Sequence, residues 1–458
     1  MGWGSRWHVF ERGERMSGSS EVPAVVGTRV RLLGLLAGLG LFIAVAPADL
    51  AAATNCVNPG GTGGCYSTIG AAVAASSAGD TIRVAHGTYT EDVVIGIPLS
   101  LIGDGAERTV IDATGLPNGV SIDGYNHPGL SHVVVSGFTV RNANFQGILV
   151  TDSSFVTVAD NIVTGNDVSL QPFAQGGPVC PGLPAYFVAG EGFDCGEGIH
   201  LSGVTYSAVA GNILHDNAGG ILLSDDTGAS HDNLISGNLV RYNPYDCGIT
   251  IASHHFEMAL NPSYGVYHNT ITENVSSSNG LSTGEGAGVG LFAGPPGAQT
   301  WGNVVSDNTL NDNALPGVTM HSHTPFQKLN DNLIVGNRIS GNGPDPDPGT
   351  TVPTGIDVFA DEASGAAPIT GTVISQNVIR NEGIDIAVAT SGGVDAHLNS
   401  LFRPVGIDNL GTGSVNATEN WWQCFHGPGT NGCSGVTGTG VDSTPWLTEP
   451  FSGINGGF

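Results

Sequence analysis

Asparagine recurs five residues after asparagine at six places: Asn161 and Asn166, Asn212 and Asn217, Asn238 and Asn243, Asn274 and Asn279, Asn308 and Asn313, Asn337 and Asn342. A Val or Ile stands three residues before the first Asn of each pair (Val158, Val209, Ile235, Ile271, Val305, Ile334). Beyond most pairs comes a Gly followed by apolar residues at period two, as in Gly220-Ile221-Leu222-Leu223, Gly248-Ile249-Thr250-Ile251 and Gly317-Val318-Thr319-Met320. Self-similarity at a steady spacing marks a solenoid. Short β-branched runs between Gly, Asn, Asp and Ser make its units strands, with no long amphipathic helical pattern from about residue 80 to 420. The expected fold is all-β: a single-stranded right-handed parallel β-helix in which each turn of chain is one rung and equivalent positions stack about 4.8 Å apart. Inward-turned Asn side chains would then hydrogen-bond from rung to rung and satisfy the turn backbone, each bond contributing about 1 kcal/mol net. The first column runs on to Asn377 and toward Asn420, and Phe138 takes its place in an early rung.

Such a coil needs its ends covered, because an open terminal rung exposes core and unpaired strand edges. Residues 54–80 are the expected N-terminal cap, with a small-residue helix over Ser67–Ser77 and strands beginning at Thr81. Residues 81–420 form the coil. Residues 421–458 are the expected C-terminal cap, in which Trp421-Trp422 and Trp446 flank Cys424 and Cys433. Core capping suits those tryptophans better than sugar stacking. Residues 1–53 read as an export signal: Arg29 and Arg31 precede the apolar run Leu32–Val45, and Ala51-Ala52-Ala53 offers small residues for cleavage. Met16 is an alternative start. The apolar run is too short to span a bilayer comfortably, so no stable membrane span is expected after cleavage, and the mature chain is expected to be secreted, periplasmic or extracellular.

Charge narrows the partners. Of 13 basic and 40 acidic residues, five and four lie in the first 53, which leaves eight basic and 36 acidic. So acidic a surface excludes nucleic acid, or any polyanion held by charge. Seven cysteines in an oxidising compartment pair by proximity as Cys56–Cys65, Cys180–Cys195 and Cys424–Cys433. Cys247 is left as a small buried residue.

The run Ala78-Gly79-Asp80-Thr81-Ile82-Arg83-Val84-Ala85-His86-Gly87-Thr88-Tyr89, followed by Pro98-Leu99-Ser100-Leu101-Ile102-Gly103, resembles the opening of secreted pectin-lyase-like β-helix proteins. The Asn-rich rungs resemble the repeats of carbohydrate-binding and sugar-hydrolase domains, also found in the periplasmic copper-maturation protein NosD. The ending Asn420-Trp421-Trp422…Gly427-Pro428…Pro445-Trp446-Leu447 is similar to the tails of exported bacterial members. This resemblance implies the fold. It does not choose an activity, because the superfold carries lyases, hydrolases, epimerases, esterases and non-catalytic members. Polygalacturonases of this fold add Gly-His-Gly and Arg-x-Lys motifs to paired aspartates, and only Asp225-Asp226 is present here. Pectate lyases need Arg or Lys, and Arg241, Lys328 and Arg338 form no pattern.

Aligning rungs on the Gly-Ile/Val step, with that Gly as position one, sends positions three, five and seven outward. Position three holds Leu149, His200, Leu222, Thr250, Gly290, Thr319 and Asp357; position five holds Ser202, Ser224, Ala252, Phe292, His321 and Phe359. Position seven holds Asp226, His254, Gly294, His323 and Asp361. Asp225, Asp226, His254 and His323 are therefore the candidate catalytic residues, acting as acid and base on a glycosidic bond. Glycines 290 and 294 leave a floor between the histidines. His200, Glu197, Asp246, Glu285, His321 and Phe292 are the candidate substrate-binding residues. The histidines with Asp226 match no compact metal motif, so no metal ligands are assigned. Calcium stays open as a cofactor, although Asp345-Pro346-Asp347-Pro348-Gly349 reads as a rigid turn without graded ligand spacing. The expected partner is a polysaccharide, bound or processed, with hydrolysis favoured over uronate elimination because basic residues are scarce. A non-catalytic glycan-binding or structural β-helix is the alternative, and NosD-like copper handling ranks below both because the chain has only 4 Met.

Overall fold

The computed structural model describes residues 52–166, 184, 186–187, 195–255, 260–430 and 432–451. All but the last two residues of the expected export signal lie outside that range, as does Cys180. Among the described residues, no helix is long and apolar enough to cross a membrane.

Three strands make a rung. One runs in a 12-stranded sheet, the next in a 14-stranded sheet and the third in another 12-stranded sheet, and every strand pairs parallel with its counterpart one rung away. Gln146–Thr151, Thr157–Ala159 and Ile162–Thr164 are one such set. A further three-stranded sheet (Ser230–His231, Val266–Tyr267, Thr300–Trp301) widens the middle rungs. The result is a parallel β-helix, right-handed as crossovers between parallel strands are. In most of the three-residue strands the central residue alone is buried, as with Val158 and Val163. These residues stack into one continuous apolar core from Val57 to Trp422.

The corners explain the asparagines. Each ladder Asn follows a residue with left-handed backbone, such as Asp160 (φ 55°), Gly211 (φ 65°) and Gly237 (φ 63°) before Asn161, Asn212 and Asn238. One left-handed residue turns the chain, and Asn or Asp tolerate that conformation better than other non-glycines. The Asn side chain then absorbs the backbone groups the bend exposes. Asn238 Nδ2 donates to Val209 O and to Asn274 Oδ1, both at 2.9 Å, while its backbone N–H donates to the same Oδ1 at 3.0 Å. Asn238 Oδ1 in turn accepts from the backbone and side chain of Asn212.

This column runs from Asn161 through Asn212, Asn238, Asn274, Asn308, Asn337, Asn377 and Asn399 to Asn420, with the Phe138 N–H capping it at 3.1 Å. The second column runs from Asn166 to Asn342 and ends on Glu382, whose carboxyl accepts from Asn342. A third column, Asn233, Asn269, Asn303 and Asn332, lines the remaining corner. It stands five residues before the first, so the five-residue step was visible in this direction too.

Both ends are closed. The helix Ile69–Ala75 buries Ile69 and Ala72 over the first rung. Its exposed N–H groups are met by Thr68 Oγ1 (from Ala71) and by Glu91, which accepts from Ile69 and Gly70 at 2.8 Å each. At the other end Trp422 is wholly buried in the core, Cys424–Cys433 is a disulfide, and Trp446 Nε1 donates to Phe425 O. Cys56–Cys65 is the N-terminal disulfide, Cys195 is disulfide-bonded, and Cys247 is free and buried against Ala287 and Leu315.

Two stability predictions follow from the ladders. Asn274→Ala removes the donor to Ile235 O and the acceptor shared by Asn238 N and Nδ2. Leaving those groups buried without partners should cost about 2–4 kcal/mol, measured by denaturant unfolding. Glu382 is the weak end of a ladder: burial first, opposed by hydrogen bonds from Asn342, pushes its carboxyl from 4.5 up to about 7. The folded protein thus keeps a proton that the unfolded chain has released, so stability falls as pH rises through that interval, by about 1.4 kcal/mol per unit at most. Glu382→Gln restores an amide, and should raise Tm at pH 8 while changing it little at pH 4. An equal shift at both pH values would contradict this account.

Candidate functional site

The rung map is reproduced on the 12-stranded sheet containing Gln146–Thr151. Position three pairs Leu149, His200, Leu222, Thr250, Gly290, Thr319 and Asp357 in register, and position five aligns Phe292, His321 and Phe359. Many of these outer-face residues are nevertheless buried, because the segments between rungs fold back over the sheet. Phe187 covers His200 (rings 5.5 Å apart) and meets Phe145 edge-on. His200 lies between Gln146 Nε2 (3.1 Å from Nδ1) and Ser224 Oγ (2.8 Å from Nε2). Since an amide nitrogen only donates, Nδ1 accepts and Nε2 carries the proton.

Asp225 and Asp226 diverge. Asp225 is fully buried and accepts four hydrogen bonds, from Ser253 Oγ (2.7 Å), His254 N (2.7 Å), His255 N (3.2 Å) and Gly265 N (2.7 Å). Burial, reinforced by Asp226, raises its pKa against those donors. The carboxylate organises the turn after Ala252-Ser253, and His255, Asn261 and Tyr264 close over it. Asp226 instead reaches along position seven, its Oδ2 lying 3.1 Å from His254 Nδ1 on the next rung. Gly294 follows, where among the described residues a side-chain Cβ would meet Ser253 O at 3.7 Å, an ordinary van der Waals contact. The other floor glycine is filled: the Phe292 ring lies over Gly290.

His323 is not joined to His254. It belongs to a second cluster, which the sequence reading divided among separate roles. The turn Asp345–Gly349 folds onto the strands Val318–Ser322 and Thr354–Ala360, held by Asp345 N donating to Thr350 Oγ1 (2.7 Å) and Asp347 N donating to Asp345 Oδ1 (2.9 Å). Asp345 Oδ2 then lies 2.8 Å from His321 Nε2 and accepts from Thr319 Oγ1 at 3.0 Å. Asp357 reaches the same two partners, with Oδ2 3.2 Å from His321 Nε2 and Oδ1 accepting from Thr319. On the outer side, Asp347 Oδ2 is 3.4 Å from both His321 Nδ1 and His323 Nε2. Burial alone would lower the His321 pKa, but Asp345 and Asp357 raise it well above its ordinary value. Burial and the neighbouring Asp345 lift Asp357 to about 7, whereas Asp345, although also pushed up by burial, is held below its usual range by His321.

Glu197, Asp246 and Glu285 begin their rungs rather than follow them, about 20 Å of strand away from position seven. Glu197 packs against Gly219, Asp246 Oδ1 accepts from Cys247 N, and Glu285 is half-buried just after the turn at 281–284. Phe292 meets His321 edge-on at 5.6 Å, as Phe359 does from the other side. Asp345, Asp347 and Thr319 are the participants that sequence reasoning left out of the site.

A column of rings runs down another face: His132, Phe155 and Tyr206 stack at 5.1 and 5.5 Å, and His231, Tyr267 and Trp301 continue at 4.8 and 4.9 Å. Lys328 Nζ covers Trp301 at 3.5 Å. Within each group of three the rings stack face to face, and the two groups meet edge-on where Tyr206 approaches His231 at 5.6 Å.

Residues 76–279 match the family described as Periplasmic copper-binding protein (NosD). No curated protein is significantly similar in sequence. Among solved structures, the chain is similar to the Dettilon tailspike protein (gp208), at 13% identity and TM-score 0.54, covering 84% of this chain and 68% of that one. It is also similar to DFA-IIIase from Arthrobacter chlorophenolicus A6 without its lid, in complex with GF2, at 14% identity and TM-score 0.54, covering 86% and 100%. At such identities the likeness is one of fold.

A prediction separates the two aspartates. Asp225→Ala strands four donors and should destabilise the protein by several kcal/mol, read from thermal or denaturant unfolding. Asp226→Asn keeps its shape beside His254 and should cost less than about 1 kcal/mol.

Proposed function

We propose that the protein is an exported β-helix that grips a neutral polysaccharide along the edge formed by Asp226, His254, Gly294, His323 and Asp361, and hydrolyses it at Asp226–His254. The observation that carries this reading is the 3.1 Å contact between Asp226 Oδ2 and His254 Nδ1 beside the side-chain-free position at Gly294. A carboxylate on one ring nitrogen orients the imidazole and supports its protonation, which suits the other nitrogen to exchange a proton with an attacking water or a leaving oxygen. Asp225 acts beneath them as a positioning residue, since its four accepted hydrogen bonds set the turn that carries His254. With eight basic against 36 acidic residues after residue 53, the surface is poorly suited to polyuronates. The fold shared with DFA-IIIase in complex with GF2 supports a carbohydrate-related role without choosing the bond. Likewise the tailspike fold and the periplasmic family description support a place outside the cytoplasm.

Incubation with a panel of neutral polysaccharides should release reducing ends without unsaturated products. Asp226→Asn and His254→Ala should each slow that release by at least about 100-fold while the circular dichroism stays native. Unsaturated products, or unchanged rates in both variants, would overturn the assignment.

A second reading rests on the closure of Asp226, whose side chain is screened from solvent. A binding-only protein would show glycan-array signals that survive Asp226→Asn with no reducing ends released. Copper handling of a soft-donor kind finds little support among the described residues. Met320 points into the core, Cys247 is buried, and the other described cysteines are disulfide-bonded.

A further inference from the structure

His321 lies on the strand Val318–Ser322 and His323 one residue beyond its end, and the turn at Asp345–Gly349 brings Asp347 within 3.4 Å of both rings. We propose that His321 Nδ1, His323 Nε2 and Asp347 Oδ2 form a binding site for a first-row divalent cation, of the zinc or copper(II) class. The site shares His323 with the proposed glycan edge but not its chemistry, which is placed at Asp226 and His254.

Distances choose this triad over the one beneath it. Asp347 Oδ2 lies 3.4 Å from each imidazole nitrogen, long for a good hydrogen bond. Two donors 3.4 Å apart, each about 2.1 Å from a common ion, subtend about 110° there, close to a tetrahedral angle. The inner contacts, 2.8 and 3.2 Å from His321 Nε2 to Asp345 and Asp357, are ordinary hydrogen-bond lengths. They belong to the layer behind the metal: a ligating histidine characteristically donates its other ring N–H to a carboxylate, which fixes its tautomer and orientation. Thr319 Oγ1 ties Asp345 and Asp357 together under that ring.

Accessibility runs the right way. The inner carboxylates are closed off, His321 is 5% exposed, Asp347 17% and His323 37%, so the outer triad opens toward solvent. With imidazole and carboxylate donors mixed, the site suits zinc or copper(II) better than calcium, which takes oxygen ligands alone. Asp361 lies near enough to His323 to act on it electrostatically, adding negative charge to the mouth. Three protein ligands leave at least one coordination position for water or a substrate oxygen.

The test uses the full chain, stripped with chelator and titrated separately with zinc, copper(II), manganese and calcium by calorimetry. Bound metal is counted by mass spectrometry after gel filtration. One equivalent of zinc or copper(II) should bind, with calcium failing to compete. His323→Ala and Asp347→Asn, both at the accessible rim, should abolish stoichiometric binding, while His86→Ala on the exposed surface should not change it. Asp357→Asn, which touches no metal in this scheme, should weaken binding 10- to 100-fold, an effect that adventitious surface histidines would not show. No stoichiometric metal, or binding retained in natively folded His323→Ala and Asp347→Asn, would overturn the site, as would calcium binding as tightly as zinc.

Discussion

The amide-to-amide hydrogen bond at the corners is the interaction on which this architecture depends. A parallel coil of three-residue strands must bend sharply three times per rung, and each bend turns backbone groups away from the sheet ladders. Left without partners in the interior, those groups would cost more than the short strands return. Asparagine solves the problem because its side chain both donates and accepts, so each residue satisfies the rung on either side, and the same solution can repeat indefinitely along the axis. Three such columns, one per corner, keep successive corners in register, the third over the middle rungs only. Against that regularity, the segments between strands are at liberty to vary in length.

That freedom is where the candidate functional groups lie. The core is spent on stacking, with Val, Ile and Leu at equivalent positions facing inward, so reactive groups can stand only on the outer faces and in the turns. The 12-stranded sheet carrying Glu197–Ser202 through Thr354–Ala360 receives them, and two clusters result. Around Asp225 and Asp226, one aspartate is consumed in shaping a turn while its neighbour engages His254. Around His321, three aspartates surround one imidazole, and Asp345 and Asp357 raise its pKa well above the ordinary value against the effect of burial.

Much of the fold was legible because repetition is a property of the sequence itself. The five-residue Asn step and the Gly-Ile/Val step placed Thr250, Gly290, Thr319 and Asp357 in one column before any coordinates, and the pairing reproduces that register. The third Asn column was less legible because it precedes only four of the six pairs, at Asn233, Asn269, Asn303 and Asn332. The floor at Gly290 was also misjudged: period-two reasoning gives the direction a side chain leaves, not where a ring as large as Phe292 comes to rest. His321 shows the same limit. It was placed correctly on the outer face, yet outer did not mean exposed, because the Asp345–Gly349 turn lies over it.

By itself, then, the amino-acid order determined the coil, its corners, its inward and outward positions and its stapled ends. These depend on local bends and on like residues meeting like at a fixed step. Only the tertiary structure decided which outer-face groups meet, since the segments that cover them are not periodic and their course is set by contacts with distant residues. Asp347 comes between His321 and His323 because Thr350 and Asp345 pin the turn back upon the sheet. Asp226 comes to His254 because four hydrogen bonds to Asp225 hold the chain in place. In both cases a short-range carboxylate contact, reachable only after the rungs have stacked, gathered a solvent-facing pattern into a cluster.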